Sequence, residues 1–130
     1  MKTKSGFTVL ELIFCIVIMG VAVVLFFIQM NAVEAMDRDD QRKTAINAMY
    51  YALEEGYYAE NGYYPEKIEN PETLRWIDPN LFTDPFGYNL WTEGSSYKYE
   101  ASDCKDGQCK QYSLRADLEK EDDYVKTSRN

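Results

Sequence analysis

Hydrophobic residues along this chain change their spacing twice, and each change marks a change of structure. From Phe7 to Ile28 almost every position is apolar, and Glu11 is the one charge inside the run. Gln29–Lys43 is polar, helix-compatible and free of proline. Beyond it Ile46, Met49, Tyr50, Leu53 and Tyr57 recur at three- and four-residue steps, with Ala45, Ala48 and Ala52 between them. That is the stripe of a helix buried on one face. Asn61-Gly62 supplies a stop signal, with Pro65 just beyond. The pattern therefore predicts a single helix over Phe7–Asn61, about 55 residues and roughly 80 Å long. Its front is apolar all round and its back is apolar on one face, with Gly20 and Gly56 as its weak points.

After the helix the chain reads as a loop from Gly62 to Asp84. Asn70-Pro71-Glu72 carries a cap, a proline at the first position and an acid in the first turn, which predicts a short helix over Pro71–Ile77. Asp84-Pro85-Phe86-Gly87 has the residues of a type I turn. The period then becomes two. Tyr88, Leu90 and Thr92 predict one strand; Tyr97, Tyr99 and Ala101 a second; Tyr112, Leu114, Ala116 and Leu118 a third. The fold class is α+β: a long N-terminal helix packed on a small antiparallel sheet of about three strands. Residues from Glu119 onward are charged and without apolar pattern, and read as a solvated tail. The organisation is a leader over 1–6, a transmembrane or assembly helix over 7–28, an amphipathic half-helix over 29–62, a loop and sheet over 63–119 and a polar tail over 120–130.

At ~1.5 Å per residue the run Phe7–Ile28 reaches roughly 33 Å, enough to cross a bilayer core of ~30 Å. A cleaved secretory signal would have a shorter, charge-free core and a small-residue site at its far end. Gln29–Ala35 is a poor site of that kind, so the run is expected to stay on the mature protein. Lys2 and Lys4 precede it and place that end in the cytoplasm, with the remainder on the other side. The 130 residues carry 14 basic and 22 acidic side chains, a net charge of −8, which argues against nucleic-acid binding. The sequence has no histidine, and so lacks the commonest general base and metal ligand. With no nucleophile elbow and no phosphate loop either, it does not read as an enzyme.

Cys104 and Cys109 bracket Lys105-Asp106-Gly107-Gln108, a turn-forming tetrapeptide. Outside the cytoplasm the two are expected to form a disulfide. A zinc site is the alternative, but a single C-x4-C supplies only two ligands. Cys15, inside the apolar run, reads as a small packed hydrophobe. Each of the pairs Tyr50-Tyr51, Tyr57-Tyr58 and Tyr63-Tyr64 is expected to turn one ring to the sheet and the other outward. Asp37, Asp39 and Asp40 among Arg38, Arg42 and Lys43 predict a salt-bridged helix surface.

Lys4-Ser5-Gly6 followed by Phe7-Thr8-Val9-Leu10-Glu11-Leu12 and a long apolar run resembles the class III signal of type IV pilins and pseudopilins. Asn61-Gly62-Tyr63-Tyr64-Pro65 resembles the segment that ends the long helix in that family. Asp84-Pro85-Phe86-Gly87 is similar to the turn before its sheet, and Tyr112–Glu119 to its final strand. The resemblance implies the pilin fold and cleavage between Gly6 and Phe7 by a prepilin peptidase on the cytoplasmic side. It implies N-methylation of Phe7 and pairing of Glu11 with the Phe7 amine of a neighbouring subunit. It further implies a single-pass membrane precursor, a membrane assembly platform, and other pilin subunits as partners in an extracellular filament. Such a filament serves motility, adhesion or DNA uptake. The alternatives are a pseudopilin of a type II secretion or competence machine, and a membrane-anchored binding module that does not polymerise. No cofactor is expected. Some pseudopilins bind calcium, and Asp103, Asp106 and the acids of Glu121–Asp123 offer oxygen ligands, but they match no loop motif and read as a solvated acidic face. One departure from the family pattern is that Ile28 stands where many pilins carry a proline. Melting of the helix there is not expected, and Gly20 is the remaining weak point.

Overall fold

The computed structural model describes residues 6–130, so Lys2 and Lys4 lie outside the described residues. Helix α1 runs Val9–Tyr51, continues through a π-helical segment Ala52–Tyr57 and closes with α2, Tyr58–Asn61. Thr8 caps its start: the Glu11 N–H donates to Thr8 Oγ1 at 3.3 Å and the Leu12 N–H to the Thr8 carbonyl at 3.1 Å. Gly62 ends it in the left-handed conformation at φ 77°, and its N–H returns to the Tyr58 carbonyl. Both ends fall close to where the sequence pattern sets them.

The chain divides into two compact units, the first extending to Glu34 and the second covering Ala35–Asn130. In the first, every large apolar side chain from Phe7 to Ile28 is exposed. An 18-residue window there reaches a mean hydropathy of 3.0 with none of it buried, so the helix is long and apolar enough to cross a membrane. In the second unit the helix buries Ala35, Asp39, Arg42, Ala45, Ile46 and Met49 along one face. Ala45, Ile46 and Met49 of that stripe pack with Leu53, Tyr64, Leu74, Phe82, Tyr97, Tyr112 and Leu114 in one core.

The sheet has four antiparallel strands: β1 Tyr64–Pro65, β2 Tyr97–Lys105, β3 Gln108–Ala116 and β4 Tyr124–Thr127. β3 is central. It pairs with β2 along its length, with β1 at Cys109 and Gln108, and with β4 from Ser113 to Ala116. Asp106 and Gly107, both at positive φ, make the two-residue β2–β3 turn. This is the Asp-Gly chemistry whose backbone twist matches that of the flanking strands.

Three sequence expectations are corrected. Tyr88–Thr92 is not a strand; it contributes one isolated bridge, Thr83↔Asn89. Asp84 redirects it, because its carboxylate accepts from the N–H groups of Phe86, Tyr88 and Ser96 and from the Ser96 hydroxyl. These local bonds replace ladder bonds. Burial pushes the Asp84 carboxyl up, but the hydrogen bonds from Ser96, Tyr88 and Phe86 outweigh it and leave the group below its ordinary range. The polar tail over 120–130 is also not free, since β4 lies within it. The predicted helix at Pro71 is a 3-10 turn, Pro71–Leu74, capped by Asn70, whose side chain accepts from the Thr73 N–H.

Candidate functional site

The candidate site residues near the N-terminus lie together on one short segment. Gly6, Phe7 and Thr8 precede the helix, and Phe7 is exposed. The Gly6–Phe7 bond therefore lies in an exposed, non-helical stretch. Glu11 is in the first helical turn and exposed. Thr8-Val9-Leu10-Glu11 has the spacing of a capping box, and an acid there complements the helix dipole. The sequence reading missed this local role, although the T-x-x-E spacing signals it. Gly20 is helical, and a Cβ built on it would meet nothing within 4 Å. Cys15, expected to be packed, is exposed.

Cys104 and Cys109 sit opposite each other in the β2–β3 register and are disulfide-bonded. Cys109 is fully buried and pairs with Tyr64 of β1 on its other side. The bond thus closes the hairpin at the point where the strand leaving the helix joins the sheet.

The charged band of the helix is bonded to the C-terminal segment more than to itself. Asp39, 2% exposed, accepts from the backbone N–H groups of Glu119 and Lys120 and from the Arg42 guanidinium. Arg38 grips Glu119 with two hydrogen bonds of 2.8 and 2.7 Å, Arg42 adds a third at 2.9 Å, and Lys43 reaches Glu121 at 2.6 Å. The hydrogen bonds from Arg38 and Arg42 hold the Glu119 carboxyl down at about 2. Burial pushes Asp39 up, but the bonds from Glu119, Lys120 and Arg42 outweigh it and lower the group.

A second carboxylate, Glu54, captures the other end of the same segment. It is buried in the π-helical segment and accepts from the Tyr64 hydroxyl at 3.0 Å, the Tyr112 hydroxyl at 2.9 Å and the Arg129 N–H at 3.1 Å. Burial, reinforced by Glu54, raises the Tyr64 phenol to about 12 and drives the Tyr112 phenol higher still.

The tyrosine pairs partly follow the expected division. Tyr64 is buried beside a half-buried Tyr63, Tyr51 is exposed beside a half-buried Tyr50, and Tyr57 and Tyr58 are both half-buried. Trp76 lies against Gly56 and under the Arg75 guanidinium, and Tyr51 meets Tyr50 and Arg129, so these rings are already engaged within the chain. Among the described residues no group of three His, Cys, Asp or Glu side chains is placed to hold a metal ion; Asp103, Asp106 and Glu121–Asp123 form none.

Comparison with protein-family models, with curated proteins and with solved structures returned no match.

Proposed function

We propose that this chain is a structural subunit of a type IV pilus-like filament. It is cut between Gly6 and Phe7, held in a membrane by its apolar helix, and polymerised through that same helix. The observation that carries this reading is the apolar helix surface from Val9 to Ile28, open on all sides, with one carboxylate, Glu11, in its first turn. Apolar surface left in water costs about 25 cal/mol per Å², so this segment requires a cover. Lipid covers it before assembly, and the helices of other copies cover it afterwards.

Glu11 is what favours assembly over simple anchoring. An acid at the centre of a membrane helix costs about 2.5–3.5 kcal/mol on insertion scales, less near an end. Cleavage creates an ammonium on Phe7. In a filament core that amine, from one copy, can pair with Glu11 of the next and fix the axial register.

N-terminal mass spectrometry of the protein from cells with a prepilin peptidase is expected to give a methylated N-terminus at Phe7. An intact Met1 or a cut near Ala35 overturns the processing step. Glu11→Gln separates the two roles of the side chain, because glutamine can still complete a capping box but carries no charge. The variant is expected to be cleaved normally and to assemble poorly; normal filaments would leave Glu11 a helix cap only. Immunogold labelling of long surface fibres distinguishes a pilus from a short pseudopilus rod. A non-polymerising anchored module would tolerate loss of both Gly6 and Glu11.

A further inference from the structure

The sheet leaves one long edge open. β2 pairs with β3 on one side, from Tyr97↔Ala116 to Ser102↔Gln111, and no strand among the described residues pairs with its other side. The segment preceding it, Tyr88–Thr92, would have been the natural neighbour, but Asp84 folds it into a loop. Edge strands usually carry a device against pairing, such as a proline, a bulge, brevity, a covering loop or an exposed lysine, and Lys98 is such a lysine unless an acid stands opposite it. Residues 97–102 have no proline, and the first backbone departure is Asp103 at φ 53°. The loop bordering this edge meets it at Tyr97, whose N–H donates to Ser95 Oγ at 3.1 Å, and an open groove of about 440 Å³ lies between Leu90–Ser95 and Tyr97–Glu100.

We propose that this edge receives the same edge of a second copy of the chain, β2 against β2, antiparallel about a twofold axis at Tyr99. The choice of partner and register comes from the strand itself. Directly opposed residues in an antiparallel pair point to the same face, so the axis must fall on a residue and not between two. An axis on Lys98 or on Glu100 sets like charges directly opposite each other, which is destabilising. An axis on Tyr99 sets Lys98 opposite Glu100 twice, on the outer face where both are exposed. Among the described residues Glu100 has no ion pair, and Lys98 has a loose one, to Asp117 at 3.7 Å. The same axis sets Tyr97 opposite Ala101 on the inner face. The edge is thus complementary to itself in one register.

So short a strand pair buries less than the ~1,600 Å² of a standard stable interface. The contact is therefore reversible and is favoured where copies are concentrated, as in one bilayer. A twofold contact closes on two copies and does not propagate. It belongs to copies outside a polymer and does not depend on the filament reading.

The test uses the full chain in lipid vesicles, prepared as an equal mixture of copies with natural and heavy nitrogen, and a zero-length carbodiimide cross-linker. A Lys98–Glu100 cross-link carrying one label on each side is expected, while the intrachain Lys98–Asp117 link stays unmixed. Lys98→Glu alone sets Glu opposite Glu, and Glu100→Lys alone sets Lys opposite Lys. Because neither variant retains the Lys98–Glu100 pair, their self-association is read by equilibrium Förster transfer between labelled copies, and each is expected to associate about tenfold more weakly than the parent chain. Mixing the two variants restores both opposite-charge pairs, so association is expected to recover, with a mixed-label link now joining position 98 of one variant to position 100 of the other. A misfolding effect would not recover on mixing. Absence of the mixed-label link in the parent chain, or single variants that associate as strongly as the parent, overturns the proposal.

Discussion

Glu54 is a carboxylate buried among the apolar residues of the helix, and three donors converge on it. Its two oxygens accept from the Tyr64 and Tyr112 hydroxyls and from the Arg129 N–H. Removing the acceptor leaves buried donors unmade, which costs more than an ordinary hydrogen bond supplies. Glu54→Ala is therefore expected to lower the unfolding free energy by about 3 kcal/mol, measured by urea denaturation followed through tyrosine fluorescence. Glu119 and Asp39 act at the other end of the same segment, and their effect depends on pH. Both carboxyl groups titrate lower in the folded chain than in the unfolded one. The unfolded chain thus takes up protons first, and acid favours unfolding. For Glu119 the contribution is complete above its ordinary value of 4.5 and is lost as pH falls through about 2. The melting temperature is expected to fall across that window. Glu119→Gln should melt lower at neutral pH and show a shallower acid slope, both readable by circular dichroism.

At the scale of elements, the π-helical segment Ala52–Tyr57 explains how Glu54 comes to face inward. The Tyr58 N–H bonds to the Leu53 carbonyl five residues back, so the segment holds more residues per turn and Ala52, Leu53, Glu54 and Gly56 are all buried. Gly56 is needed for a second reason: a Cβ there would lie 2.6 Å from the Trp76 ring. Gly56→Ala is expected to cost about 1–3 kcal/mol from overpacking. Trp76→Leu added to it should recover part of the loss, which a double-mutant cycle measures. These details also mark where the sequence stops being readable. The long helix was legible because an apolar run, a 3.6-residue stripe and Asn61-Gly62 agree over many residues. The β2–β3 hairpin was legible because alternation, Asp106-Gly107 and two cysteines agree over a few. The strand predicted at Tyr88–Thr92 failed because alternation cannot register one buried carboxylate, Asp84, that gathers the local N–H groups. β4 was missed because four residues with half-buried alternate side chains give almost no local signal, and the carboxylates that hold the residues flanking it, Asp39 at Glu119 and Glu54 at Arg129, are about 80 residues away in sequence. The N-terminal motif was readable as a pattern, whereas the capping geometry of Thr8 and Glu11 required the backbone.

For the molecule as a whole, the apolar run and the folded unit from Ala35 onward have different needs. The run from Phe7 to Ile28 buries none of its large side chains, whereas the core residues Ile46, Met49, Leu53, Phe82 and Leu114 all lie within Ala35–Asn130. A chain beginning at Ala35 should therefore keep its fold and lose its need for lipid. Its new helix start is favourable, because Asp37, Asp39 and Asp40 would fall in the opening turns, where acids complement the dipole. The contacts of Arg38, Asp39 and Arg42 with Glu119 and Lys120 are all contained in the fragment. The expected outcome is a protein soluble without detergent, with cooperative unfolding, an intact Cys104–Cys109 bond and no partitioning into vesicles. The full chain should partition into them. Flotation with lipid vesicles checks the second half, and a thermal melt with and without reductant checks the first. Reduction should lower stability by about 2 kcal/mol, the chain-entropy contribution of so short a loop, without unfolding the fragment. A fragment that aggregates or melts without cooperativity would show that the apolar run supports the fold itself. Anchoring and folding could then no longer be assigned to separate stretches of the same helix.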